Sequence, residues 1–266
     1  METFIVDSFT NEAFKGNPAG VCLAAKVLSD ELMQSIAIEL NLSETAFVQK
    51  LPTEGHYSIR YFSPKMEIPL CGHATLASAK VLFKKTNLSE IHFKTVQGLD
   101  LFIRQTDGDI VMQFPVYETK PAHAPEALLK ALGLDEVRNT VYNDETRILL
   151  LEISDSHVLA VLKPDFRALQ ESHGDIHGVL VTAAGKGDYD FHSRYFWPWS
   201  GSDEDPVTGG THTFLAPYWA SRLNKKRMRS FQSSARTGFM EVELLDDQQM
   251  LIRGSAVITF EGKFRC

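Results

Sequence analysis

Glu44 stands in the segment Asn41-Leu42-Ser43-Glu44-Thr45-Ala46-Phe47, where a predicted helix has just ended and a strand begins. A carboxylate there, flanked by small hydroxyls and then by apolar residues, is expected to be partly desolvated. Desolvation raises a carboxyl pKa toward neutrality and suits the group to carry a proton both ways. The competing reading is a surface glutamate at a strand edge. His73 and Asp205 lie at equivalent turns of an internal repeat, so a ligand gripped by both turns would meet both side chains. Taken singly, His73 reads as a first-turn helix residue bonded to backbone, and Asp205 as a turn acid before proline. Cys71 precedes Gly72 at a predicted helix start, where thiol pKa values fall. It is a nucleophile, a proton carrier or a buried inert thiol.

Other chemistries lack their residues. His173 and His177 have the i, i+4 spacing of zinc ligands, but Gly174-Asp175 breaks the helix between them and no metalloprotease glutamate accompanies them. No metal site is expected. No Walker loop, no Gly-x-Gly-x-x-Gly after a strand and no nucleophile elbow is present, so neither a nucleotide cofactor nor a serine hydrolase mechanism is expected.

The elements that must position these residues are announced by the repeat. Arg60-Tyr61-Phe62-Ser63-Pro64 and Glu67-Ile68-Pro69-Leu70-Cys71-Gly72 return as Arg194-Tyr195-Phe196-Trp197-Pro198 and Glu204-Asp205-Pro206-Val207-Thr208-Gly209. The copies are separated by about half the chain, too far for a solenoid repeat of roughly 20–50 residues and right for a duplicated domain. Each glycine opens a stretch without a polar face, 74–83 and 214–220, which reads as a buried helix. Pro217 is expected to kink or unwind the second. Two such junctions, with unpaired N–H groups and the positive end of a helix dipole, would clamp a small anion. The polar residues Glu67, His73, Glu204, Asp205 and Thr208 exceed what a plain turn requires, which favours that reading over a purely structural turn.

Short strand-like segments dominate both halves, among them 3–9, 20–24, 45–50, 57–62, 140–142, 147–153, 157–162, 178–182 and 190–196. Helices are few. Ser29 caps one over 30–41, Pro125 and Gly133 bracket a second, and 165–174 has the outline of a third. Many short strands with one buried helix per half give an α+β protein of two pseudo-symmetric halves, each a curled, mostly antiparallel sheet around a helix. Clustered prolines place the boundary so that residues 1–116 form one half, joined by a returning strand in 255–266, and 117–254 the other.

The composition, with 44% hydrophobic and 23% charged residues, is that of an ordinary globular protein. No basic apolar leader and no apolar run of about 18 residues appears, so neither a signal peptide nor a membrane span is expected. Three dispersed cysteines, Cys22, Cys71 and Cys266, form no disulfide framework, which fits a reducing, cytoplasmic location. A net charge of −7 argues against a general affinity for nucleic acid, and the basic run from Arg222 to Arg229 reads as a solvated helix end.

The Gly16-Asn17-Pro18-Ala19 turn, the Glu44 segment, Pro69-Leu70-Cys71-Gly72-His73-Ala74-Thr75 and Glu204-Asp205-Pro206-Val207-Thr208-Gly209 together resemble the phenazine-biosynthesis PhzF-like family, and within it the branch named for binding a WD-repeat protein. The resemblance spans nearly the whole chain. It implies a diaminopimelate-epimerase-like fold with the active site between the halves, no metal or organic cofactor, and an isomerase that moves a proton within a small carboxylated substrate. A homodimer is compatible with it. Residue by residue it makes Glu44 the general acid/base, with His73 and Asp205 as polar partners. Cys71, Gly72, Thr208, Gly209, Gly210 and Thr211 become substrate-binding residues. The family usually has serine where this chain has Gly210; Thr211 carries the neighbouring hydroxyl, one residue further on. Two alternatives stay open. One is a one-thiol epimerase or racemase using Cys71, since the repeat has Thr208 where a second thiol would stand and a thiol pair is absent; the other is a binding protein that keeps the fold without turnover.

Overall fold

Apolar–polar alternation broken by glycine turns folds the first half into β1 (Glu2–Ser8), β2 (Asn17–Ala24), α1 (Asp30–Leu40), β3 (Glu44–Lys50), β4 (His56–Phe62), β5 (Glu67–Ile68), α2 (Gly72–Lys85), β6 (Glu90–Thr95), β7 (Asp100–Thr106) and β8 (Asp109–Pro115). This is a computed structural model, and it describes residues 1–265. The second half runs through β9 (Lys120–Pro121), α3 (Glu126–Leu132), β10 (Asn139–Asn143), β11 (Ile148–Glu152), α4 (Ser156–Val161), α5 (Phe166–Glu171), β12 (Gly178–Ala184), β13 (Phe191–Trp197), β14 (Ser202–Asp205), α6 (His212–Leu223), β15 (Arg227–Gln232) and β16 (Gly238–Leu244). β17 (Gln249–Gly254) and β18 (Ala256–Lys263) close the chain. Two compact units result: Met1–Phe114 with the chain from Leu251 onward, and Pro115–Met250.

The sheets of the two units repeat one pairing scheme. In the first, β1–β2 is antiparallel, β2–β3 parallel, β3–β4 antiparallel, β4–β6 parallel and β6–β7 antiparallel. The second follows the same order through β10–β11, β11–β12, β12–β13, β13–β15 and β15–β16. β18 pairs antiparallel with β1 along its whole length, from Glu2↔Lys263 to Ser8↔Ala256. β1 is therefore an interior strand, with β2 on its other side. Between β7 and β8, Asp107 (φ 55°) and Gly108 (φ 88°) form the two-residue turn whose positive φ values match strand twist.

Each sheet wraps a buried helix. Every α2 residue from His73 to Phe83 except Lys80 is buried, and the helix packs on β1, β2, β3 and β18. Small residues such as Ala74, Ala77 and Ala79 bring it close to the strands. Leu76, Val81 and Phe83 supply burial of about 1.5–3 kcal/mol each. α6 is buried from His212 to Ala216 and again at Tyr218 and Trp219, and it runs unbroken through Pro217. The helix is not unwound there, and the Thr213 carbonyl, which a residue-217 N–H would have bonded, instead accepts the Tyr117 N–H at 2.9 Å.

The α1 reading holds in detail. Ser29 Oγ accepts from Leu32 N, and Asn41 ends the helix in the left-handed region at φ 49°. The strand expected over 157–162 is instead α4, because the Asp155 carboxylate accepts the His157 N–H at 2.9 Å and caps a short turn that buries Leu159. The Gly16-Asn17-Pro18-Ala19 segment is a turn only at Gly16. A side chain there would lie 2.1 Å from the Ser8 carbonyl, and Asn17 already starts β2.

Candidate active site

The repeated motif first makes a scaffold. Arg60 on β4 grips Glu67 on β5 through Nε and Nη2, both at 2.7 Å, and Arg194 on β13 grips Glu204 on β14 at 2.7 and 2.8 Å. Each guanidinium also lies over the aromatic ring two residues further along its own strand, Phe62 or Phe196. Arg194 adds bonds to the Leu159 and Leu162 carbonyls. Glu67 and Glu204 are thus clips that fix the turn entering each buried helix, and this accounts for two of the polar residues that the sequence suggested for ligand binding.

In the first unit, three candidate residues converge. β3 begins at Glu44, and α2 places His73 in its first turn so that His73 Nε2 is 3.2 Å from Glu44 Oε2. Ser43 Oγ is 3.4 Å from the same nitrogen, and Cys71 Sγ is 3.4 Å from Nδ1 and 3.8 Å from Nε2. All three residues are buried. Their backbone is anchored as well. Ser8 Oγ donates to the His73 carbonyl at 2.8 Å, and Thr75 Oγ1 donates to the Cys71 carbonyl at 2.7 Å while the Tyr61 hydroxyl lies 2.6 Å from Thr75 Oγ1. Cys71 starts the helix without a side-chain cap. The first-turn N–H groups at Gly72 and His73 therefore have no partner in the preceding turn of the helix.

The electrostatics correct one expectation. Burial pushes the Glu44 carboxyl upward, but the hydrogen bond and charge of His73, helped by Ser43 and Cys71, outweigh it, and the pKa lies below the ordinary value. Burial by itself would lower His73, yet Cys71 and Glu44 hold it well above the ordinary 6.5. Glu44 is a carboxylate and His73 carries the proton. The Cys71 thiol is pushed up, chiefly by burial, although it sits at a helix start. It is a neutral thiol in contact with His73.

The second unit organises the other motif. Thr208 Oγ1 donates to Asp205 Oδ2, and Gln232 on β15 bridges the turn by accepting Thr208 N at 2.9 Å and donating to the Asp205 carbonyl at 2.7 Å. His212 Nδ1 bonds the Thr208 carbonyl at 3.0 Å, and its Nε2 lies 2.7 Å from Ser230 Oγ. Burial drives the His212 pKa down to about 4, so the ring is neutral, with Nδ1 donating and Nε2 accepting from Ser230. Gly209 and Gly210 precede the helix proper, which starts at His212. Thr211 Oγ1 donates to the Thr208 carbonyl at 3.0 Å. Open space surrounds the position a Cβ would take at Gly210. Gln232, His212 and Ser230 were missed from sequence. The signal for Ser230 and Gln232 was polar residues at the inward positions of β15, where Met228, Ser230 and Gln232 alternate as buried; His212 stands in the first turn of α6.

The matching registers show that the units are not chemically equivalent. Glu44 pairs with Ala19 at the start of β3, as Gly178 pairs with Ile148 at the start of β12. A side chain at Gly178 would lie 2.5 Å from the Tyr195 ring. Tyr195 pairs with Asp205 where Tyr61 pairs with Ile68. Each unit carries an acid that the other lacks. Arg222, Lys225 and Arg227 of the basic run are ion-paired with Glu152, Asp190 and Glu241. Among the described residues no helix is long and apolar enough to cross a membrane.

Residues 6–262 match the family described as phenazine biosynthesis-like protein. A mouse phenazine biosynthesis-like domain-containing protein 2 is 46% identical over 97% of both chains. An uncharacterized isomerase of Pseudomonas aeruginosa is 41% identical over 97% of this chain and 96% of its own. Among solved structures, a PhzF family protein of Enterococcus faecalis superposes with a TM-score of 0.92 at 37% identity, covering 100% of this chain and 99% of its own. A predicted epimerase of Pseudomonas aeruginosa, 19% identical with a TM-score of 0.72 over 99% of this chain and 98% of its own, shares the fold. The architecture is the diaminopimelate-epimerase-like one that the motifs implied.

Proposed function

The chain belongs to the phenazine biosynthesis-like protein family, and from that membership we propose that it is an isomerase moving a proton within a small carboxylated metabolite, with Glu44 as general acid/base. The observation that carries this reading is the buried Glu44–His73 contact of 3.2 Å, which supplies a carboxylate ready to accept a proton and an imidazolium that holds it in place. Glu44 takes a proton from a carbon made acidic by neighbouring unsaturation. His73 stabilises the charge of the carboxylate, and Glu44, whose carboxyl proton exchanges with solvent before it is given back, returns a proton to another carbon. Atoms and charge balance without an oxidant or a second base. His73 positions Glu44, and Asp205 is required for turnover. Cys71, Gly72, Thr208, Gly209, Gly210 and Thr211 bind substrate through their backbone and hydroxyl groups, and the chemistry draws on no cofactor.

The one-base form is favoured over a two-base racemase because the position equivalent to Glu44 in the second copy is Gly178 and that equivalent to Cys71 is Thr208. The test is incubation with a panel of small cyclic and amino acids in deuterated water, scored by mass. Deuterium uptake that vanishes in Glu44→Gln and is reduced in Asp205→Asn supports the assignment, and uptake at the unmodified rate in Glu44→Gln refutes it. Reading the chain as a binder without turnover rests on Gly210. A wild-type chain that exchanges nothing, with exchange appearing in Gly210→Ser, would favour it.

A further inference from the structure

Glu44 lies 27 residues before Cys71 in sequence, yet one donor atom from each of Glu44, Cys71 and His73 falls within 4.8 Å of the others. His73 Nε2 is 3.2 Å from Glu44 Oε2 and 3.8 Å from Cys71 Sγ. A tetrahedral zinc ion holds nitrogen and oxygen at about 2.0–2.2 Å and sulfur at about 2.3 Å, which sets neighbouring donors roughly 3.4–3.7 Å apart. The two separations to His73 Nε2 differ from that by a few tenths of an ångström, and the Glu44–Cys71 pair, within 4.8 Å, closes to it by side-chain torsion. One sulfur, one imidazole nitrogen and one carboxylate oxygen make a donor set for a borderline-soft ion, not for calcium or magnesium, which select oxygen cages. The backbone bearing two of the three ligands is already held by Ser8 on the His73 carbonyl and Thr75 on the Cys71 carbonyl.

We propose that Glu44, Cys71 and His73 form a reversible zinc(II) site with an open fourth position, and that zinc and proton transfer exclude one another there. No electron moves on binding. The Cys71 thiol proton and the proton shared by Glu44 and His73 leave to solvent, and three coordinate bonds form. The inhibitory half of the inference rests on the role of Glu44 proposed above; the binding half does not.

Cobalt(II) titrated into the full-length, chelator-treated protein reports thiolate ligation as a charge-transfer band, and zinc then displaces it. The band is expected at one equivalent, retained in Cys22→Ser and Cys266→Ser, and lost in Cys71→Ser. Zinc affinity, read by calorimetry, is expected to fall in Cys71→Ser and in His73→Gln by at least the roughly 10–100-fold that loss of an outer-shell partner costs. Circular dichroism establishes that each variant is folded. Absence of the band, its survival in Cys71→Ser, or unchanged zinc affinity in both variants overturns the site. These readouts decide it whether or not a substrate has been found, so its failure is distinguishable from failure of the acid–base reading. Deuterium exchange that falls in step with zinc occupancy and returns with chelator supports the exclusion; exchange that persists or rises when zinc is bound overturns it.

Discussion

Glu44 and His73 share a proton whose location burial alone would assign wrongly. Each group taken separately would be pushed toward its neutral form; Cys71 and Glu44 together raise His73, and His73, 3.2 Å from Glu44, holds the carboxyl below its ordinary value. Glu44→Gln keeps the size of the side chain and removes the base, and exchange is expected to fall by about 10²–10⁴-fold. Cys71→Ser is expected to cost far less, because burial opposes ionisation of the thiol and serine keeps a hydrogen-bonding group beside Glu44 and His73; a larger loss from Cys71→Ser than from Glu44→Gln would make sulfur the proton carrier. The pH dependence has a definite sign. Glu44 has a depressed folded pKa, so its stabilisation is present above the ordinary 4.5 and is lost as pH falls through the lower folded value. His73 has a raised folded pKa, so its share is complete below 6.5 and is lost as pH rises through the higher folded value. The stability of the wild type relative to Glu44→Gln should therefore plateau between those values and decline on both sides. Urea unfolding across pH measures this, and a flat difference would show the pair to be energetically uncoupled.

Among the elements, the two Arg–Glu clips share their fork geometry and differ in exposure and in the third partner, which is the Leu159 and Leu162 carbonyls for Arg194 and the exposed Asp30 carboxylate for Arg60. The side chains of Arg194 and Glu204 are 9% and 16% exposed, against 23% and 29% for Arg60 and Glu67. Arg194→Ala is expected to destabilise by about 3–5 kcal/mol, as when one partner of a buried pair is removed. Arg60→Ala is expected to cost less, and equal shifts in denaturation midpoint would count against burial as the cause. Gly210→Ser enters open space and should change stability by no more than about 0.5 kcal/mol. Much of this level was legible in the sequence. The Arg-x-Phe…Glu repeat, the capped α1 and the two helices without a polar face all leave local signatures. α4 was misread because its apolar run is too short for periodicity to separate strand from turn, and the cap at Asp155 decided it. Glu44 and His73 were legible as candidates. The direction of their ionisation was not, since it depends on a contact between residues 29 positions apart. Gln232 left even less trace, because its role lies in bonds to a turn 24 to 27 residues away.

At the scale of the whole molecule, the pairing of β1 with β18 fixes what can fold alone. A fragment ending at residue 114 leaves one side of β1 unpaired, with Phe4 and Val6 deprived of their neighbours, and is expected to be insoluble or unfolded. Residues 115–250 carry the core built on α3, β11, β12 and α5 and are expected to fold as an isolated piece. Circular dichroism and hydrogen exchange on the two fragments test this, and a cooperatively folded 1–114 fragment would refute it. The same strand pairing sets a schedule on the ribosome. β1 is completed by a strand made about 250 residues after it, and at roughly 5–20 residues per second the interval is on the order of ten to fifty seconds. During that time the later half of the message can be folding while the earlier half waits with an apolar sheet edge open, so the unit that holds Glu44 and His73 is the one whose assembly depends most on early protection from other chains.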